Sequence, residues 1–254
     1  MALLEVRGLH KRFGGLHAVR DVSLEVRQGS IKAVIGPNGA GKTTLFHLVS
    51  GFLAPDQGTV RLRGEPIQGR PPHEVAACGL SRTFQHIRLF AHMTALENVM
   101  VGRHLRSRAG FLAGMFHLPW TWREERAIRE RSLELMEFLG IAALADRDAR
   151  SLSYGQQRGV ELARALASEP VLLLLDEPAA GLNLRETADV ARIIARVRDR
   201  GVSVLLVEHD MALVMDVSDE VAVLSYGEKI ADADPRSVQR DPHVVRVYLG
   251  DEEC

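Results

Sequence analysis

The sequence predicts an α/β fold with a mostly parallel core sheet. Three short runs carry that prediction: IKAVI at 31–35, VLLLLDEP at 171–178 and VSVLLVEHD at 202–210. Each is apolar without alternation, the pattern of a strand covered on both faces, as in parallel sheets. Between the last two, RETADVARIIARVRDRG sets Val190, Ile193, Ile194 and Val197 on one helical stripe, so the chain reads strand–helix–strand.

The remaining elements follow in order. LLEVRGL and VSLEVRQG alternate as half-buried strands do, with a Gly-Gly turn between them and Gln28-Gly29 ending the second. IKAVI runs into a Gly-rich loop and then TTLFHLVSG, which reads as a helix. From about 90 to 165 strand runs are absent. Arg, Glu, Leu and Ala dominate there, and Ile128, Leu135, Met136 and Leu139 are spaced as a helix face, which predicts an α-helical insertion into the core. Within it AGFLAGMFHLPWTW (109–122) is apolar and Gly-interrupted, a pattern that fits a locally packed hairpin or a surface for a partner. SLSYGQQRG (151–159) stands before the helical VELARALA, and Ser153 has the side-chain oxygen that an N-cap needs.

Composition sets the class. The 254 residues are 46% hydrophobic with a formal net charge of −1, ample for a core and without the basic excess of a protein that wraps nucleic acid. Cys78 and Cys254 stand far apart and are expected to be free thiols. MALLEVRGLHKRF lacks the features of a secretory signal, and the longest strongly apolar run, VLLLL, is far short of a membrane span. The expectation is a cytoplasmic protein, carried to any membrane by another subunit.

GPNGAGKTT (36–44) has the spacing G-x-x-x-x-G-K-T directly after a buried-type strand and at the start of a helix. A loop wrapped round a phosphate chain must bring backbone N–H groups close to oxygens, so Gly36, Gly39 and Gly41 are expected where side chains would block the approach. Pro37, Asn38, Ala40 and Thr44 complete the loop. The helix that follows aims its amides and dipole at the anion, Lys42 adds a full charge, and Thr43 offers a hydroxyl to Mg²⁺. Asp176 ends a buried strand at the sheet edge where ligands bind, placed to hold Mg²⁺ or its water. Glu177 follows at once, where a carboxylate can orient and deprotonate a water attacking a γ-phosphate. His209 ends the next strand, a third polar group at a strand end, and is assigned a γ-phosphate contact.

GPNGAGKTT, TFQ, LSYGQ, LLLLDEP and VEHD, in this order and at these spacings, resemble the ATP-binding subunits of ABC transporters across essentially the whole chain. The resemblance implies a P-loop NTPase fold over residues 1–254: the mostly parallel core sheet, an N-terminal antiparallel β subdomain and the inserted α-helical subdomain. It implies ATP and Mg²⁺ as cofactors, with Glu177, His209, Gln85 and Lys42 catalytic and Thr43, Gln85 and Asp176 on the metal. Phe13 is similar to the aromatic that stacks on adenine. In this family two cassettes pair head to tail, which implies that Ser153, Gly155 and Gln156 bind the ATP held by a neighbouring chain. Tyr154 stands where many relatives have Gly, and Asn183 stands where the family commonly has Asp; a cross-dimer role for Asn183 is retained as an expectation.

LSRTFQHIRLFAHMTALENVMVGRH (80–104), the apolar insertion after it and the ending DPHVVRVYLGDEE are similar to the ATPase of the bacterial high-affinity branched-chain amino-acid importer. That likeness implies a second, different ATPase subunit, two transmembrane permease subunits, indirectly a periplasmic substrate-binding protein, no nucleic acid, and a place on the inner face of the cell membrane. Urea and short-chain amide importers, a lipopolysaccharide exporter and a soluble scaffold of the iron–sulfur assembly type remain the alternatives.

Overall fold

The computed structural model describes residues 2–106 and 119–249. Most of the apolar stretch 109–122 lies outside the described residues, as do Cys254 and the last residues of DPHVVRVYLGDEE. The chain divides into two compact units, one running to Arg82 and resuming at Val171, the other Thr83–Pro170. The sequence places the helical segment at about 90–165; the second unit is a few residues longer at each end.

The first unit holds two sheets. β1 (Ala2–Phe13), β2 (Leu16–Arg27), β4 (Gln57–Leu62) and β5 (Glu65–Pro66) form an antiparallel sheet in the order β2-β1-β4-β5. The second sheet has the order β10-β9-β3-β8-β7-β6, from β3 (Ile31–Ile35), β6 (Leu80–Arg82), β7 (Leu172–Asp176), β8 (Ser203–Val207), β9 (Glu220–Ser225) and β10 (Glu228–Ala233). Every pairing in it is parallel except that of β9 with β10. All five residues of β3, of β7 and of β8 are buried, which is why their sequences show no alternation.

Helix α1 (Lys42–Val49) joins the two sheets. Its Leu45, Phe46, Leu48 and Val49 share one apolar core with Leu4, Val6 and Leu9 of β1 and with Leu174, Leu205 and Leu224 of the parallel sheet. A short helix, α2 (Pro72–Ala77), leads into β6. Lys32, in the middle of this core sheet, is buried and paired with Glu220 at 3.2 Å and Asp232 at 2.5 Å.

In the second unit α3 (Ala95–Gly102) starts at a capping box made by Thr94 and Glu97. Helix α4 (Pro119–Phe138) buries Met136, while Ile128 and Leu135 are half-covered; Leu139, just past its end, is buried. Helix α5 (Tyr154–Ala167) lies against α3 at Gly102, where an added Cβ would stand 2.1 Å from the Arg164 carbonyl oxygen. Only one isolated bridge, Thr94 with Asp148, is found among the described residues of this unit outside its helices.

Back in the first unit, α6 (Leu184–Asp199) buries Ala191, Ile194 and Val197, with Val190 and Ile193 at the edge of the stripe. α7 (Met211–Val217), α8 (Pro235–Arg240) and α9 (Pro242–Leu249) complete the chain. Among the described residues no helix is long and apolar enough to cross a membrane.

Candidate functional site

β3, β8 and β7 are neighbours and run parallel, so their carboxyl ends open side by side. The loop 36–41 leaves β3, Glu208 and His209 leave β8, Asp176 ends β7 and Glu177 follows it. In an open α/β sheet this is the edge where ligands bind.

The glycines of the loop divide into two kinds. Gly36 has φ +149° and its missing Cβ would lie 2.1 Å from the Leu224 carbonyl oxygen; Gly41 has φ +101° and would place a Cβ 2.3 Å from the carbonyl of Ala18. Both are glycine because backbone from β9 and β2 packs against them. Only Gly39, at φ +80° with nothing within 4 Å of its Cβ position, faces open space where a ligand backbone contact needs clearance. Packing thus adds a second reason at Gly36 and Gly41 to the one the sequence suggests for all three. Gly36→Ala is expected to cost the fold about 3 kcal/mol or more, read as a lowered urea midpoint. An unchanged midpoint would contradict the packing assignment.

Lys42 opens α1 and is buried. Its Nζ donates to the carbonyl oxygens of Gly36 at 2.7 Å and Pro37 at 2.9 Å, and no carboxylate lies within ion-pair distance among the described residues. Burial holds its pKa below the ordinary lysine range, while Glu177 and Asp176 favour the charged form. The N-cap of α1 is Gly41, which brings no side-chain cap, and the first turn has no acidic residue. Its leading amides therefore lack the partner that helix starts usually acquire. A buried ammonium beside an uncapped helix start is a site built for an anion. Of the other loop residues, Ala40 is buried, Pro37 and Thr44 are half-buried, and Asn38 and Thr43 are exposed.

Asp176 is paired with Arg82, which donates from Nη2 to Oδ2 at 2.8 Å; both side chains are 5% exposed. Removing one partner of such a buried pair costs about 3–5 kcal/mol, so the carboxylate is held firmly. Glu177 has φ +49°, an unusual backbone for a non-glycine residue, and its amide donates to the Val207 carbonyl at 2.9 Å. The bend lifts its side chain off the strand, where Oε1 meets Nε2 of His209 at 2.7 Å.

Glu208 is the residue behind this geometry that sequence reasoning missed. It is buried and accepts from the amide of Ala179 at 2.8 Å, of His209 at 2.9 Å and of Asp210 at 3.3 Å. One carboxylate thus ties the loop after β7 to the loop after β8. Glu208→Ala should lower the unfolding free energy by about 3 kcal/mol, since charged acceptors of buried N–H groups are among the stronger hydrogen bonds. A denaturation curve superimposable on that of the parent chain would rule the strut out.

Phe13 sits exposed at the tip of the β1–β2 hairpin, opposite Leu16, with the Lys11 ammonium 5.8 Å from its ring centroid. It is no core residue. Ala18, two residues along β2 from Leu16, abuts Gly41. Asn183 is the N-cap of α6: its side-chain oxygen accepts from the amides of Arg185 and Glu186, and its own amide donates to the Glu186 carboxylate. Only its side-chain amide nitrogen remains to donate elsewhere.

The other expected residues lie in the second unit. Gln85 is exposed. Ser153 caps α5, accepting from Gln156 at 3.4 Å while Gln156 accepts from the Ser153 amide at 3.0 Å; Gly155 follows in the first turn. Tyr154, the departure from glycine, turns its hydroxyl to Arg158 at 3.2 Å. Arg158 is buried and also donates to the carbonyl oxygens of Phe84 at 2.8 Å and Gln85 at 3.1 Å, and pairs with Glu161 at 2.9 Å. The backbone that carries Gln85 is therefore pinned to the helix that begins at Ser153. Burial raises the Glu161 carboxyl above its usual range.

The sequence model of the family described as "ABC transporter" matches residues 19–180, well over half of the chain. The chain belongs to the ABC transporter family. A second family model, described as "Branched-chain amino acid ATP-binding cassette transporter", matches residues 228–254 of this cassette. The cassette is 47% identical to the high-affinity branched-chain amino acid transport ATP-binding protein BraF of Pseudomonas aeruginosa, over 98% of each chain. It is 43% identical to LivG of Escherichia coli, which carries the same description, again over 98% of each. The crystal structure of a nucleotide-free ATP-binding cassette from an ABC transporter, 33% identical, superposes with a TM-score of 0.86 over 99% of this chain and 100% of that one.

Proposed function

We propose that this cassette is the ATP-hydrolysing subunit of an importer for leucine, isoleucine and valine, working on the inner face of the membrane beneath two permease subunits. The observation that carries the ATP site is Lys42: a buried cation bonded to the Gly36 and Pro37 carbonyls, at the start of a helix with no side-chain cap. The cargo class rests on the likeness to BraF and LivG.

Lys42 and the leading amides of α1 bind the β- and γ-phosphates. Phe13 offers an exposed ring face to adenine. Thr43, Asp176 and Gln85 would hold the metal, and one carboxylate with neutral oxygens is a donor set that suits Mg²⁺. Mg²⁺ supplies charge neutralisation on the phosphates. Glu177 takes the proton of the attacking water, with His209 fixing its carboxylate and steadying the γ-phosphate charge. Ser153, Gly155, Gln156 and Asn183 close over the nucleotide of a second cassette, most simply a different chain.

The test has two arms. The purified cassette should release phosphate from Mg²⁺·ATP, and a strain lacking it should lose uptake of labelled leucine, isoleucine and valine. Loss of urea uptake with amino-acid uptake intact would overturn the cargo assignment while leaving the ATPase.

A further inference from the structure

The ion pair of Arg82 with Asp176 has no place in that reaction scheme. We propose that Arg82 is a positioning residue, a resident counter-cation that competes with the divalent metal for Asp176 and so sets how strongly nucleotide binding depends on the metal. The inference rests on the assignment of Asp176 to the metal.

Arg82 ends β6, the strand hydrogen-bonded to β7, which ends in Asp176. Its guanidinium is fixed on several sides. Nη2 donates to Asp176 at 2.8 Å, and Nη1 donates to Ser50 Oγ at 2.9 Å. Ser50 is itself anchored to the Phe46 carbonyl at 2.5 Å. The Phe46 and Phe52 ring centroids both lie 5.6 Å from the guanidinium carbon. Of these groups only Asp176 carries a charge that a bound cation would claim. A metal ion reaching that carboxylate must share it with, or take it from, a full positive charge at 2.8 Å. The repulsion between the two cations weakens metal binding, more so because the pair is shielded from water.

The experiment is equilibrium binding of ADP, which cannot be hydrolysed at this site, in excess Mg²⁺ and in EDTA. The quantity read is the ratio of the two affinities, in the parent cassette and in Arg82→Gln, Arg82→Lys and Ser50→Ala. Arg82→Gln should raise the ratio about tenfold by removing the competing charge. Arg82→Lys keeps the charge and should stay within about twofold of the parent. Ser50→Ala loosens the guanidinium without touching Asp176 and should raise the ratio about twofold. An equal ratio in the parent and in Arg82→Gln, or equal changes in Gln and Lys, overturns the proposal. Should Arg82→Gln fail to fold, an unchanged ratio in Ser50→Ala does so. A parent cassette whose ADP affinity ignores Mg²⁺ would instead sink the metal assignment of Asp176.

Discussion

Glu177→Gln should lower ATP turnover by about a thousandfold while leaving ATP affinity within a few-fold of the parent, because general-base catalysis contributes about 10²- to 10⁴-fold. The change is nearly isosteric. Glutamine still presents an oxygen to His209 Nε2, now 2.7 Å from Glu177 Oε1, and the left-handed backbone at this position is untouched. What it loses is the capacity to take a proton. The cassette should therefore load nucleotide and stall. Single-turnover phosphate release and equilibrium ATP binding, measured on the same preparation, separate the two effects. A variant that hydrolyses at the parental rate would show that another group is the base, and one that cannot bind ATP would show that Glu177 supports the fold of the site.

Lys42→Ala should weaken ATP binding about 10- to 100-fold, the range set by hydrogen bonds to charged groups. The lysine is already buried between the Gly36 and Pro37 carbonyls, so most of the cost of ordering it is met before a phosphate arrives. Burial also holds its pKa below the ordinary lysine range even though Glu177 and Asp176 favour the charged form, so the ammonium gains from further negative charge. A triphosphate supplies that charge. Two mutations with distinct signatures follow: Glu177→Gln stops chemistry after binding, and Lys42→Ala stops binding before chemistry. If both variants gave the same fall in affinity, the division of labour between the cradle and the strand ends would be wrong.

The parallel core was legible because β3, β7 and β8 are buried on both faces and must be apolar throughout. The loop at 36–44 was legible from its spacing. Other strands were not. QGTVRL of β4 is too short and too mixed in polarity to stand out, and its burial comes from pairing with β1, about fifty residues earlier in the chain. The β9–β10 hairpin turns at Tyr226-Gly227, both with positive φ, where the usual sequence signal is Asn-Gly or Asp-Gly.

Two long-range buried charges are illegible in the sequence for one physical reason. Arg82 and Lys32 look like surface residues in sequence, and only folding brings their charged partners to them. Arg82 meets a carboxylate 94 positions away, and Lys32 meets Glu220 across 188. Glu208 carries a local signal, an acidic residue directly after an apolar strand and before His209. Ser153 did what a serine before a helix does, capping α5 with Gln156 in a reciprocal box.

The central claim is that the phosphate chain, held at the head of α1, supplies the binding energy for nucleotide. Titration calorimetry of the unaltered cassette with ATP, ADP and adenosine in Mg²⁺ tests it directly. The account predicts one ATP bound per chain, ADP bound more weakly, and no detectable heat from adenosine at the same concentrations. Adenosine binding as tightly as ATP would place the affinity in the base and contradict it.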